Sequence, residues 1–298
     1  MKTKVGILMG GNSPEHEVSL MSGNEVFKYI DKSKYEPIKM LINKDGSFNF
    51  TIEDIKFQDV IFIALHGTGG EDGRIQGFLE TLNVKYTGPN VDSSVLAMDK
   101  AVSRALWQEQ GLPIVPYETI ENIDQCRKHP FPFVLKPNKQ GSSVGVFIVA
   151  KHDQLKNAYR EVSHYGEVIL EPYISGQSEL TVGFLDGKAL TPVEIIPASK
   201  FYDYEAKYLS EKTKYLIPPK LPKRIVDYAK EISISACNAL KIDSFSRVDI
   251  LIKDDEPLLL EVNTIPGLTS HSLLPKAAEA DGISFPSLID KMIQIALR

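Results

Sequence analysis

Short apolar runs that break into polar, glycine-containing loops recur along this chain, and they set the expected order of elements. Val5-Gly6-Ile7-Leu8-Met9 ends at Gly10-Gly11-Asn12-Ser13-Pro14, the pattern of a buried strand entering a turn. A helix is expected from Glu17 to Tyr29. Val60 to Leu65 is a second apolar strand, and it too stops at a glycine loop, His66-Gly67-Thr68-Gly69-Gly70. Strands that enter polar loops on one side of a sheet are how open α/β domains build sites at strand C-terminal ends.

After Thr87-Gly88-Pro89-Asn90 the pattern changes. One helix is expected from Ser93 to Gln110, stopped by Gly111-Leu112-Pro113. β-rich segments follow at Phe133–Lys136, Val144–Ala150, Val168–Glu171 and Glu179–Phe184, with a helix from Asp153 to Ser163 among them. A long helix from about Pro222 to Ala239 precedes two further strands, Phe245–Ile252 and Leu258–Val262. The expected fold class is mixed α/β in three units. Residues 1–92 form an open α/β unit, 93–178 a small β-rich one and 179–298 a mixed one.

Composition narrows the function classes. With 298 residues, 43% apolar and 24% charged, the chain reads as a soluble globular protein. A net charge of −5 and the lack of any long Lys/Arg run leave no basic field for a nucleic-acid backbone. No apolar stretch approaches the roughly 20 residues that cross a membrane. The run after Met1-Lys2-Thr3-Lys4 is too short for a signal peptide, so cytoplasmic residence is expected. Cys126 and Cys237 lie far apart without metal-ligand spacing and read as buried, reduced thiols.

Candidate chemistry begins at the loop Lys136-Pro137-Asn138-Lys139-Gln140-Gly141-Ser142-Ser143-Val144-Gly145-Val146. Its glycines allow close backbone approach, and its hydroxyls and ammonium groups complement phosphate oxygens. An ordinary hairpin turn has the same composition. No Walker A loop is present, and Gly10-Gly11 lacks the rest of a dinucleotide fingerprint, so ATP fits better than NAD.

The stretches Phe245-Ser246-Arg247-Val248-Asp249-Ile250-Leu251-Ile252 and Leu258-Leu259-Leu260-Glu261-Val262-Asn263 flank a tight turn. A hairpin centred on Asp255 sets Asp249 opposite Glu261 and Arg247 opposite Asn263, all on one face. Opposed carboxylates repel unless a positive charge lies between them. A shared proton or a bound cation would resolve the repulsion, and two carboxylates with an amide oxygen suit magnesium. A solvated charged hairpin is the alternative, and a half-position shift of the turn, which would set Asp249 opposite Val262, weakens the argument. Glu15, ahead of a helix start, could receive an ammonium or simply cap the helix. His66 ends a strand beside glycines, as a structural or a substrate-binding histidine would. The aromatic segment Phe201-Tyr202-Asp203-Tyr204-Glu205-Ala206-Lys207-Tyr208 suits a closing lid or a packed surface loop.

Together these segments resemble the D-alanine–D-alanine ligases of the ATP-grasp superfamily, over essentially the whole chain. The resemblance rests on Gly10 through Ser19, His66 through Gly73, Lys136 through Gly145, Tyr202 through Tyr208, Arg247-Val248-Asp249 and Glu261 through Gly267. It implies an ATP-grasp fold and a cytoplasmic homodimer that makes D-alanyl-D-alanine for peptidoglycan. The cofactors it implies are ATP and two magnesium ions, for which manganese may substitute. Lys100, Lys136 and Lys207 are then expected at the ATP phosphates, with Ser142 and Asn263 also at the nucleotide. Glu171, Tyr173 and Ile174 fall at the adenine edge and Glu179 at the ribose. Asp249, Glu261 and Asn263 are the implied metal ligands. Glu15, Ser142 and Tyr208 form a network around the first D-alanine, near His66. Arg247 and Gly267 face the oxyanion, and Ser272 with Leu273 the second carboxylate. Tyr208 points to an amine acceptor rather than the hydroxyl of lactate. Another carboxylate–amine ligase of the superfamily, or a nucleotide-binding regulator, would keep Lys136 but lose part of this set.

Overall fold

The computed structural model describes residues 1–174, 178–196, 213–269 and 272–298. Its elements in chain order are β1 (Thr3–Gly10), α1 (His16–Tyr29), β2 (Tyr35–Ile42), α2 (Ile52–Lys56), β3 (Val60–Ile63), α3 (Arg74–Thr81), α4 (Val91–Met98), α5 (Lys100–Glu109), β4 (Glu118–Ile120), α6 (Ile123–Cys126), β5 (Phe133–Pro137) and β6 (Phe147–Val149). There follow α7 (His152–Ser163), β7 (Val168–Pro172), β8 (Ser178–Leu185), β9 (Lys188–Ala189), β10 (Val193–Ile196), β11 (Lys214–Leu216), α8 (Lys223–Ala239), β12 (Phe245–Lys253), β13 (Glu256–Asn263), α9 (Leu273–Ala280) and α10 (Phe285–Leu297).

The strands build three sheets. β2-β1-β3 is parallel, β4-β7-β5-β6 is antiparallel, and the largest runs β11-β10-β8-β12-β13 with β9 beside β8. The parallel sheet is apolar on both faces because both are covered. One face packs with α1, α9 and α10 through Val5, Ile7, Phe62, Leu274, Leu288 and Met292. The other packs Leu8, Met40, Ile61 and Ile63 against Ile55 and Leu79. The second layer of the first sheet is thus supplied partly by the end of the chain.

The single helix expected over 93–110 is two. Asp99 leaves the helical region at φ −87°, ψ 98°, and its carboxylate caps α5 by accepting the Val102 amide. Asn90 caps α4 in the same way through Ser93. Both helices pack on the large sheet: Ala97 and Trp107 share a core with Val182, Val248, Leu259 and the α8 residues Ala229 and Ala236. The Trp107 indole donates to the Ala236 carbonyl at 3.1 Å. The strand expected from Val144 is shorter, beginning at Phe147, because Ser142 and Ser143 hold left-handed backbones of φ 51° and 59°. β2, β10 and the two C-terminal helices had no expected counterpart. Both cysteines are buried and free, and burial pushes their thiols up, Cys126 to about 11 and Cys237 to about 12. Among the described residues no helix is long and apolar enough to cross a membrane.

Candidate active site

The β12–β13 hairpin carries the candidate site. Its turn is a two-residue one, Lys253 pairing with Glu256 across Asp254 and Asp255, both with positive φ. The turn centre therefore sits half a position from Asp255, and a regular ladder would set Asp249 opposite Leu260. A β-bulge intervenes. Ile250 pairs with Leu259 while Asp249 pairs with Glu261 and Arg247 with Asn263, so the expected rungs form by a different route. The bulge also lets two successive residues, Leu260 and Glu261, line the same cavity.

The opposed carboxylates are balanced by the protein's own cations. Asp249 Oδ1 accepts from Arg247 Nε at 2.9 Å and Thr181 Oγ1 at 2.7 Å. Its Oδ2 accepts from Arg247 Nη2 at 2.8 Å and Asn263 Nδ2 at 3.0 Å. Lys100 Nζ lies 3.4 Å from Glu261 and donates to the Gln140 carbonyl at 2.6 Å. Repulsion across the rung therefore does not by itself demand a metal. Two carboxylates and an amide still make a hard oxygen set. Among the described residues no three His, Cys, Asp or Glu side chains converge, so the amide of Asn263 is needed to complete a metal-binding group. The donor chemistry fits a divalent cation, which would have to displace one of Asp249's present partners.

Two cavities lie side by side along one face of the hairpin. The first, of about 90 Å³, is lined by Lys100, Lys136, Ser143, Glu171, Tyr173, Ile174, Glu179, Asp249, Glu261 and Leu273, together with apolar side chains such as Val134 and Leu251. The second, of about 390 Å³, is lined by Glu15, His66, Glu71, Ser142, Arg247, Asn263, Gly267, Ser272 and Leu273 among others. One rung, Asp249–Glu261, faces the first cavity; the next rung on the same face, Arg247–Asn263, faces the second.

In the first cavity Lys136 and Glu171, on neighbouring strands β5 and β7, meet at 2.5 Å. Arg104 Nη1 reaches the same carboxylate oxygen at 2.5 Å. Burial pushes Glu171 up, but the charges of Arg104 and Lys136 outweigh it and hold the carboxyl below its ordinary value. Burial pulls Lys136 down to about 8, with the attraction of Glu171 opposing.

In the second cavity the Ser142 hydroxyl donates to Glu15 Oε1, joining the phosphate-like loop to the start of α1. Gly67 makes room for that carboxylate: a Cβ there would stand 2.4 Å from Glu15 Oε2, and its φ of +69° favours glycine in any case. His66 is buried. Its Nδ1 pairs with the Ile265 carbonyl at 2.9 Å and must carry a proton to do so, while Nε2 pairs with Ser22 Oγ at 2.9 Å. Burial pulls His66 down, but Glu71, at 3.8 Å, and Glu15 more than offset it and raise its pKa. Burial and Glu15 push Glu71 up. The Ser22 hydroxyl accepts the Leu268 amide at 3.1 Å, so α1 steadies the loop that carries Gly267. Ser272 Oγ accepts the Thr269 amide at 2.9 Å and precedes α9.

Every predicted site residue within the described regions lines one of these two cavities. Lys207 and Tyr208 lie outside the described residues, as do Phe201 through Glu205 of the expected lid. Sequence reading missed Glu71, Ser22 and Arg104. Glu71 stands five residues after His66, a spacing that could have drawn notice; Ser22 and Arg104 are ordinary helix positions until the fold brings them in.

Comparison with known proteins agrees along the whole chain. The family described as D-ala D-ala ligase C-terminus matches residues 106–294, and D-ala D-ala ligase N-terminus matches 4–58 and 49–89. A D-alanine–D-alanine ligase of Bacillus anthracis is 40% identical over 99% of this chain and 97% of its own. One from Citrifermentans bemidjiense is 40% identical over 99% and 96%. The crystal structure of a B. anthracis ligase complexed with ATP superposes with a TM-score of 0.86 at 36% identity, covering 99% of this chain and 98% of that one. A D-Ala:D-Ser ligase from Enterococcus faecalis reaches 0.87 at 28% identity, covering 99% and 100%. With an ATP-grasp fold and family matches over residues 4–89 and 106–294, the chain belongs to the D-alanine–D-alanine ligase family.

Proposed function

We propose that the protein joins two D-alanine molecules at the expense of ATP, through D-alanyl phosphate, to supply D-alanyl-D-alanine for peptidoglycan. The observation that carries this reading is the shared ladder face. The ladder face that presents Asp249 and Glu261 to the Lys136 cavity presents Arg247 and Asn263 to the neighbouring Glu15 cavity, so a phosphoryl donor and an acyl acceptor can meet along it. The functional units run over 1–92, 93–178 and 179–298, and the cavities lie where they meet.

In this reading Lys100 and Lys136 take the ATP phosphates, aided by Ser142 and Asn263. Glu171 with the Tyr173 and Ile174 backbone takes the base, and Glu179 the ribose. Lys136 and Glu171 then exchange each other for partners on the nucleotide. Asp249, Glu261 and Asn263 hold magnesium, or manganese, which when bound neutralises phosphate oxygens. Glu15, fixed by Ser142, receives the ammonium of the first D-alanine and leaves its carboxylate facing the shared ladder. That carboxylate attacks the γ-phosphorus, the bond to the β-phosphate oxygen breaks, and ADP leaves. Ser272 and Leu273, at the start of α9, hold the carboxylate of the second D-alanine. Its amine attacks the acyl carbon and loses a proton as phosphate departs. Arg247 and the Gly267 amide meet the negative charge that develops in both transfers.

The relative named as a D-Ala:D-Ser ligase makes D-serine the second acceptor worth measuring. ADP release should be followed with ATP, magnesium and D-alanine, D-serine or D-lactate, and the products identified. D-alanine-dependent ADP release that yields D-alanyl-D-alanine is expected. Release without that dipeptide would sink the proposal, and a preference for the mixed D-alanyl-D-serine product would favour the second reading. A homodimer and a cytoplasmic location complete the proposal; sedimentation as a monomer at assay concentration would remove the first.

A further inference from the structure

We infer that Arg104 is a positioning residue that holds the bulge in β13 and so keeps Glu261 and Asn263 in register with Asp249 and Arg247. The inference rests on the reading above, in which that face holds a divalent cation, and adds a residue outside the proposed ligand set.

The bulge needs a cause. From the turn outward, β12 and β13 pair regularly through Ile250–Leu259, and continuing that register would bring Leu260, an apolar residue, opposite Asp249. β13 is the last strand of its sheet, so the extra residue has no second strand to complete its backbone bonding. The linker before β4 meets the neighbouring position instead: Leu259 donates to the Pro113 carbonyl at 2.9 Å and accepts from the Val115 amide at 3.0 Å. At the bulged residue itself, the Leu260 carbonyl accepts from Arg104 Nε at 3.1 Å and Nη2 at 2.7 Å. A forked guanidinium thus fastens the one carbonyl that the ladder's change of register sets apart.

Ion pairing with Glu171 is only part of what Arg104 does. The side chain is fully buried, where an unpaired cation is costly. Glu171 is already matched by Lys136 at 2.5 Å, so this buried trio carries one positive charge more than it needs. Arg104 Nη1 pairs with Glu171 at 2.5 Å, which leaves Nε and Nη2 for another partner. Those two donors go to Leu260. Its guanidinium also lies 5.4 Å from the Tyr117 ring, and Tyr117 in turn donates to the Ala101 carbonyl at 2.9 Å, one turn earlier on α5. These contacts hold the fork in place. Through them the carboxylate assigned to the base and the residue beside the proposed metal ligand Glu261 share one rigid link.

The test uses the full chain and manganese binding, read by electron paramagnetic resonance in the presence of ADP, together with the magnesium dependence of ADP release. Arg104→Met removes the donors and leaves Lys136–Glu171 balanced; Arg104→Lys restores one donor; Glu261→Gln tests the metal face itself. For Arg104→Met, manganese affinity should fall about tenfold and the magnesium requirement rise in parallel, as outer-sphere partners typically cost. Turnover at saturating magnesium should return to within about threefold of wild type, which loss of a catalytic group would not allow. Arg104→Lys should recover most of the manganese affinity. Wild-type manganese affinity in Arg104→Met, or no recovery in Arg104→Lys, overturns the inference while the metal reading stands. Manganese binding that is unaffected by Glu261→Gln overturns both. Should Arg104→Met fail to fold, Arg104→Gln, uncharged and shorter, takes its place, with the same tenfold loss expected and wild-type affinity again decisive against it.

Discussion

At the scale of single residues, the site is governed by burial working against paired charge. Lys136 shows both effects: desolvation brings its ammonium down to about 8, and Glu171 keeps it from falling further. A nucleotide phosphate would favour the charged form, so ATP binding should raise this pKa. The sign follows directly. Below about pH 8 the free protein already holds the proton and binding changes little; above it, binding must take a proton up. Calorimetry of ATP binding near pH 9, in buffers of different ionisation enthalpy, should show uptake approaching one proton. Arg in place of Lys136 stays charged and should abolish that uptake, and equal uptake in Lys136→Arg would assign the proton elsewhere. The same depression acts on stability: the folded state binds fewer protons than the unfolded between about pH 8 and the ordinary lysine value, so this group's contribution improves as pH rises through that window. Ser142 shows a second kind of cost. A non-glycine residue in the left-handed region costs about 1–2 kcal/mol, and here it places the hydroxyl on Glu15.

Elements set which of these residues meet. Asp99 is the clearest case, because one carboxylate caps α5, accepts Asn138 Nδ2 at 2.7 Å and pairs with Lys139 at 2.8 Å. It ties the first residue of α5, Lys100, to the loop after β5. Asp99→Ala should cost about 1–2 kcal/mol from the cap alone and should also weaken ATP binding, since Lys100 loses its anchor. Chemical denaturation and an ATP titration check the two effects; lost stability with unchanged ATP affinity would reduce Asp99 to a cap. Much of the element order was readable from apolar runs and glycine breaks, including β1, α1, β3, β5, β7, α8 and both strands of the hairpin. Asp99 was not, since an aspartate inside an otherwise helical pattern gives no sign that the chain leaves the helix there. β2 alternates poorly and carries Glu36 and Lys39 on its exposed positions, so its strand character appears only once β1 pairs with it. The rungs Asp249–Glu261 and Arg247–Asn263 were legible, yet the bulge that produces them was not. Its fastening comes from Arg104, 156 residues away in sequence. Motif residues cluster where the chain turns and can be read locally; the groups that support them, Ser22, Glu71 and Arg104, come from elements that meet only in the folded state.

At the scale of the whole molecule, the chain closes on itself. β1 and β3 share a core with α9 and α10, so Val5, Ile7 and Phe62 pack on Leu274, Leu288 and Met292 from the far end of the sequence. A fragment of residues 1–92 lacks that layer and would expose one apolar face of its sheet. It should remain unfolded or associate, by circular dichroism and sedimentation, and adding a fragment of residues 265–298 should increase its ordered structure. An isolated fragment with a cooperative thermal transition of its own would contradict this. The ladder face shared by the two cavities has a further consequence, for how the family's members can diverge. One face of one pair of strands serves the phosphoryl step at one rung and the acyl step at its neighbour, so a substitution in the ladder changes both at once. A new acceptor is therefore more readily accommodated by residues that touch the second cavity alone, such as Met21, Asn24, Thr269 and Ser272. Descendants with different products should vary along that rim while inheriting the hairpin, its bulge and its length unaltered, because a single inserted residue there would turn the side chains beyond it from the cavity face to the core face.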